Sequence, residues 1–566
     1  MRLPETSTEL AGATWEDFLS RYEELAAAPL DAENLEAWLR DWSRLEELIT
    51  EAASLAMIAY SCDTTDPEKE AAHLRFSTEI IPNAEEQSIG LARRLVALGV
   101  VPAGLETTVA RFKASIEIFR EANVPLFSEL EELSARYQHI TGGMLADWEG
   151  EARPLPQLAP FLQEPVREVR ERAYRAIVAP YLAQRAELAD LFDRMLELRQ
   201  RVARHAGFAD YLSFSFVAKH RFDYTPGDCS RFHDAVESTV VPAEGRVLAA
   251  RRERLGLATL RPWDLTVNPY RAEALRPFRD GAELAGQAQR LLASLDPVLG
   301  GQLRVMIDEG LLDLDSRKGK APGGYCDTLH VRGRPFIFMN ASGVLEDVMT
   351  LLHEAGHAFH AFAAHRLPYL WQRHPGAEAA ELASMSMEFL AAAHLGPPAG
   401  MLDPRDAAIA RLDHLEHALA NLTHIAAVDA FQAWLYTSPD AGDAAARDAA
   451  WLRIRDRFDR GVDWSGLTAE RIARWYRQLH IFQYPLYYIE YGIAQLGALQ
   501  VWRNHRRDGA AALEAYRRFL ALGATRPLPE LYQAAGASLV FDGSGMRSLV
   551  ELVEEELEQL RAIAMS

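Results

Sequence analysis

The sequence predicts a mostly helical protein with one small β-sheet. Leucine, alanine, glutamate and arginine dominate, and apolar residues recur at steps of three and four. Breakers punctuate the pattern as connectors do, at Pro102, Pro125, Pro154-Leu155-Pro156, Pro226-Gly227, Pro375-Gly376 and Pro397-Pro398. The helical period is clearest over 35–56, 165–206 and 407–436. One stretch departs from it. Residues 318–325 are turn-rich, and 325–330 and 335–339 flank Arg332-Gly333-Arg334. Phe336-Ile337-Phe338-Met339 is aromatic and β-branched, as a short strand is. A hairpin or small sheet is expected there.

Composition narrows the function. The chain has 566 residues, 49% hydrophobic and 25% charged, with a formal net charge of −21. That balance suits a folded soluble protein. It argues against nucleic acid and anionic membrane surfaces as partners, which leave basic footprints. No stretch of about 18 residues is apolar enough to span a bilayer. Cys62, Cys229 and Cys326 are far apart and odd in number, so neither a disulfide framework nor a cysteine zinc site is expected. Met1 to Thr6 lacks the basic start and apolar core of a signal peptide. The expected location is the cytoplasm.

The chemistry is concentrated after the predicted hairpin. Residues 347–360 read as a helix, with Glu346 and Asp347 near its start, where acids favour the helix dipole. His353 and His357 stand at i and i+4, on one face and a turn apart. Two imidazoles so spaced can hold one zinc ion, and Glu354, offset around the helix, can act as base toward a water. This is the HExxH pattern. A third histidine six residues on would mark one class of such sites, but Ala363 occupies that position. A glutamate on a following helix marks another class, with Glu378, Glu381 and Glu388 as candidates. Glu381 and Glu388 share a face of the helix expected over 378–393. Ala383, Ser384 and Ala391-Ala392 are small enough to let two helices approach. Glu381 is the first choice for third ligand and Glu378 the second. Glu388 is expected to hydrogen-bond a ligand imidazole. His360, His365 and His374 are assigned to packing.

A second group lies at 479–492, LHIFQYPLYYIEYG. Imidazole and phenol donors suit a developing oxyanion. His480, Tyr484 and Tyr488 share a helical stripe if Pro485 is tolerated. An aromatic core helix is the competing explanation.

These residues resemble the M3 family of zinc peptidases, the thimet oligopeptidase and oligoendopeptidase F group. The resemblance rests on HEAGHAFH at 353–360, ELASMSME at 381–388 and HIFQYPLYYIEYG at 480–492. PFIFMNASGVLEDVMTLL at 335–352 and LPELYQAAGA at 528–537 add to it. It implies a two-lobed helical metallopeptidase with a deep substrate channel and a small β-sheet beside the HExxH helix. Residues 1–190 would be an N-terminal helical region forming part of the channel wall, and 191–566 the catalytic region. It implies one zinc ion per chain on His353, His357 and Glu381, with Glu354 as general base and short peptides as substrates. His480 and a tyrosine of the later segment would bind the substrate and its oxyanion. Tyr488 and Tyr491 are preferred, and Tyr484 and Tyr487 remain as substrate contacts. The activity expected is that of an oligoendopeptidase, a gluzincin. A dipeptidyl carboxypeptidase and a non-catalytic peptide-binding protein are the alternatives.

Overall fold

The computed structural model describes residues 6–565 except 11, 272 and 274. Helices dominate these residues, and the described strands fall into two small sheets. In the first sheet β1 (Leu145–Trp148) pairs antiparallel with β2 (Glu151–Pro154). The second contains β3 (Leu312–Asp315), β4 (Tyr325–Leu329) and β5 (Arg334–Ala341), in the order β3-β5-β4.

The chain forms two compact units, each drawn from three stretches. The first comprises Met1–Glu117, Leu275–Ala410 and Ala494–Leu539; the second comprises Ile118–Ala274, Arg411–Ile493 and Val540–Ser566. Position 190 lies inside the helix Arg185–His205 and is not an edge of either unit.

In the first unit, helices Trp15–Ala27, Leu35–Cys62 and Ile81–Leu98 turn their apolar faces into one core. Phe18, Tyr22, Trp38 and Trp42 sit in it, joined by Tyr369. The Trp42 ring stacks on Phe112 at 5.1 Å and meets Trp371 at 4.4 Å. The expected hairpin is present as β4 and β5, antiparallel, with Cys326 opposite Ile337. A third strand was not expected. Leu312-Asp313-Leu314-Asp315 is too short to show a strand period, yet it pairs parallel with β5. The link between β4 and β5 is held from far away in sequence. The buried Glu51 carboxylate accepts the backbone N–H of Val331 at 2.6 Å and of Arg332 at 3.0 Å.

The helix bearing the HExxH pattern, Leu345–Ala364, packs on β4, β5, the helix Ala377–Ala392 and the helix Gly509–Leu522. Val348, Leu351, Leu352, Ala355, Ala358 and Phe359 are all buried, as in a helix enclosed on several sides. The small sheet beside this helix was expected and is observed.

In the second unit the period over 165–206 resolves into two helices, Arg167–Ala183 and Arg185–His205, parted at Gln184. One of its cores gathers Tyr174, Val178, Trp263, Leu467 and Ala473. All three cysteines are free thiols. Among the described residues no helix is long and apolar enough to cross a membrane.

Candidate functional site

Local sequence fixes the start of the HExxH helix. The Asp347 carboxylate accepts the backbone N–H groups of Ser342, Gly343 and Val344 at 2.8, 2.9 and 2.9 Å. It therefore does more than the expected dipole pairing, because it ties the end of β5 to the first turn. Two turns on, the His353 and His357 rings are 5.0 Å apart.

The small residues act as expected. A Cβ on Gly356 would stand 2.5 Å from Ser384 Cα and 2.7 Å from the Ala383 carbonyl oxygen. Only glycine permits that approach between the two helices. It brings Glu381 Oε2 to 3.4 Å from His353 Nε2 and 3.8 Å from His357 Nε2. Ligand atoms of His353, His357 and Glu381 all lie within 4.8 Å of one another. Ser384 Oγ donates to Glu381 Oε2 at 3.1 Å. The Tyr516 hydroxyl donates to the Ala383 carbonyl at 2.8 Å and the Tyr532 hydroxyl to the Glu378 carbonyl at 3.1 Å. These bonds fasten the glutamate-bearing helix from behind. Glu378, the second choice for ligand, is buried but outside the trio.

Glu388 Oε1 lies 2.7 Å from His353 Nδ1, the partnership expected of it. Burial opposes charge on His353, but Glu381 and Glu388 outweigh it and hold its pKa well above the usual value. His357 goes the other way, pushed down to about 4 by burial. Burial raises Glu354 to about 7; His353 pulls it down while Glu381 and Glu388 push it up. A dication among these groups would replace the proton on His353 and draw Glu354 down. Two imidazoles and a carboxylate converging on one point, with one imidazole oriented from behind, fit a zinc ion. His360 is buried against Phe519, and His374 faces His330, both apart from the trio.

The histidine–tyrosine group belongs to the second unit and departs from expectation. No helical stripe runs through Pro485. The helix Leu479–Gln483 ends, Leu486 takes φ 60, and a new helix begins at Tyr488. Proline removes a backbone donor and disfavours helix at the residue before it, here Tyr484 at φ −125. The turn gathers the rings instead. His480 lies 4.8 Å from Tyr488, 6.0 Å from Tyr491, 5.8 Å from Tyr484 and 6.1 Å from Tyr487, centroid to centroid.

Buried side chains hold this turn. Arg199 donates to the Ile481 carbonyl at 3.0 Å and also to that of Phe482. The Leu486 N–H donates to Gln432 at 2.7 Å, and its carbonyl accepts from Arg221 at 2.5 Å. A left-handed leucine is thus fixed at both backbone groups. Two polar residues in this group were not singled out from sequence. Gln478 bonds Tyr488 and His480, and His424 bonds Gln478. No local pattern marks His424, 54 positions before its partner.

Comparison with known proteins identifies the family. The model of Peptidase family M3 matches residues 161–550, and that of the Peptidase M3 N-terminal domain matches 9–122. The chain is 21% identical over 427 residues to Oligopeptidase PepF of Bacillus subtilis (strain 168), covering 72% of this chain and 59% of that protein. It is 23% identical over 227 residues to the Oligoendopeptidase F homolog of Lactococcus lactis subsp. lactis (strain IL1403), covering 39% of this chain and 36% of that protein. The matches thus span under two thirds of these relatives. Among solved structures, PZ peptidase A with inhibitor 2 superposes with TM-score 0.87 at 27% identity, covering 99% of this chain and 98% of that one. Oligoendopeptidase-F from Enterococcus faecium shares the fold, with TM-score 0.66 at 15% identity, covering 98% of this chain and 99% of that one. With most of its length matched by the family's own models, this chain belongs to peptidase family M3.

Proposed function

We propose that this protein is a zinc-dependent oligoendopeptidase that hydrolyses internal bonds of short peptides. The convergence of His353, His357 and Glu381 beside Glu354 carries the proposal. The three would hold one zinc ion, with Glu388 orienting His353. When bound, the ion supplies a Lewis acid and lowers the pKa of water. Glu354 takes the proton of the attacking water and passes it to the leaving amine. His480, Tyr488 and Tyr491 donate hydrogen bonds to the carbonyl oxygen as it gains charge, and Tyr484 and Tyr487 contact the substrate chain. β4, an edge strand next to the HExxH helix, offers main-chain groups to an extended peptide. All these residues lie within 191–566, the stretch assigned to catalysis. Three free thiols suit a reducing compartment such as the cytoplasm.

Mass spectrometry of products from a mixed pool of short peptides tests this, with Glu354→Gln run beside the wild type. Internal cuts made only by the wild type are expected. Release of C-terminal dipeptides alone would replace the proposal with a dipeptidyl carboxypeptidase. Absence of cuts from zinc-loaded protein would replace it with a peptide-binding role.

A further inference from the structure

A chain of polar contacts in the second unit sets which way hydrogens point. It begins at Arg455, which is buried and anchored on Asp459: its Nε donates to Asp459 Oδ2 at 2.9 Å, and Nη2 bonds the other oxygen. Asp459 also accepts from Arg474 at 2.9 Å and from Arg471 at 3.3 Å, so its position is fixed by three guanidinium groups. The Nη1 of Arg455 lies 3.3 Å from His424 Nδ1.

A guanidinium nitrogen only donates. His424 Nδ1 is therefore the acceptor, and the ring hydrogen sits on Nε2. Burial, reinforced by Arg455 and Arg474, pushes the His424 pKa down to about 3, so the ring is neutral at ordinary pH. His424 Nε2 is 2.9 Å from Gln478 Oε1. This contact decides the orientation of the amide, with oxygen toward His424 and nitrogen away. The amide nitrogen carries two hydrogens and accepts none. It lies 2.6 Å from the Tyr488 hydroxyl oxygen and 3.3 Å from His480 Nδ1. Both must accept. Tyr488 then has its own O–H to give elsewhere, and a neutral His480 carries its hydrogen on Nε2.

We propose that Gln478, oriented by Arg455 through His424, is a positioning residue that sets Tyr488 and His480 as outward hydrogen-bond donors. The proposal rests on the oligopeptidase reading for its catalytic consequence, since donors are what a carbonyl oxygen gaining negative charge requires. Without the relay the amide is free to turn end for end. His480 would then exchange tautomers, and Tyr488 would spend part of its time donating inward. Burial also raises the Tyr488 pKa to about 12, against the pull of the Gln478 bond, so the phenol keeps its proton.

The test is Gln478→Glu, which replaces a donor with a second acceptor in the same volume. Nitrogen NMR of ¹⁵N-histidine-labelled full-length protein, with His480 assigned through His480→Asn, reads the tautomer without any turnover. A lone-pair Nδ1 is expected in the wild type and a hydrogen-bearing Nδ1 in the variant. A hydrogen-bearing Nδ1 in the wild type, or the same state in both, overturns the relay. In peptide hydrolysis kcat should fall about 100-fold or more, as on loss of an oxyanion donor, with KM changed less than about threefold and zinc content unaltered. Retained kcat in a zinc-loaded variant defeats the positioning role while leaving the peptidase assignment intact. A zinc-loaded wild type that cuts no peptide defeats that assignment, and the tautomer result still decides the relay. Should Gln478→Glu not fold, His424→Leu tests the same chain: a mixture of His480 tautomers is expected, and an unchanged Nε2–H state overturns the proposal.

Discussion

The carboxylate of Glu388 stands 2.7 Å from His353 Nδ1, on the far side of the ring from Glu381. It accepts the Nδ1 hydrogen, so that a dication replacing the second ring proton would meet the Nε2 lone pair on the side of Glu381 and His357. Glu388→Ala should weaken zinc binding by about 10–100-fold while the fold persists. Competition against a chromogenic chelator measures this. Unchanged affinity would mean that packing alone orients the ring.

The base and the third ligand should separate cleanly. Glu354→Gln is expected to retain zinc and lose about 1,000-fold or more in kcat, since it removes the group that moves the proton. Glu381→Ala should lose metal before anything else. Elemental analysis beside kinetics distinguishes them, and full zinc occupancy in Glu381→Ala would move the third ligand to another residue.

The approach at Gly356 makes a steric prediction. A methyl group there meets backbone of the neighbouring helix at 2.5 Å, and backbone cannot turn aside as a side chain does. Gly356→Ala should cost about 3 kcal/mol or more in urea unfolding and reduce zinc affinity together with stability. Native values of both would show that the helices slide apart without consequence.

Asp413 gives a pH signature remote from the metal residues. Burial raises its pKa from 3.8 to about 7; Arg251 and the Asn268 bond pull it down and Glu416 pushes it up. The folded chain thus holds a proton that the unfolded chain releases. This contribution to stability is complete below about pH 4 and lost as pH climbs to about 7. Asn268 Nδ2 donates to the carboxyl at 2.7 Å, a bond that an asparagine oxygen can also accept. Asp413→Asn should therefore change little at pH 4 and stabilise by about 1–3 kcal/mol at pH 8. A gain independent of pH would refute the shifted carboxyl.

Much of the proposed metal group was legible because helical spacing is local. His353, Glu354 and His357 follow from i and i+4, and Glu381 with Glu388 from a seven-residue step that places both on one face. The hairpin showed in its own β-branched run. The strand β3 did not, since four residues carry too little pattern and its pairing is decided by β5. The condition on the stripe, that Pro485 be tolerated, is not met: the geometry hinges on Leu486, whose left-handed backbone is held by Arg221 from a loop and by Gln432 from the helix Pro404–Thr437. Gln478 and His424 were missed for the same reason: hydrogen-bond direction belongs to a three-dimensional network, and no one-dimensional spacing encodes it.

The three-stretch build of the first unit sets a schedule for synthesis. A ribosome releases Glu51 some 280 residues before Val331, the backbone partner that compensates its burial. The histidines and Glu381 emerge next, but Tyr516, which secures the Ala383 carbonyl behind them, follows 133 residues after that carbonyl. A nascent chain therefore cannot finish this unit until Tyr516 has been made. On the oligopeptidase proposal, the hydrolytic centre is among the last parts of this unit to be secured, long after its own residues have emerged.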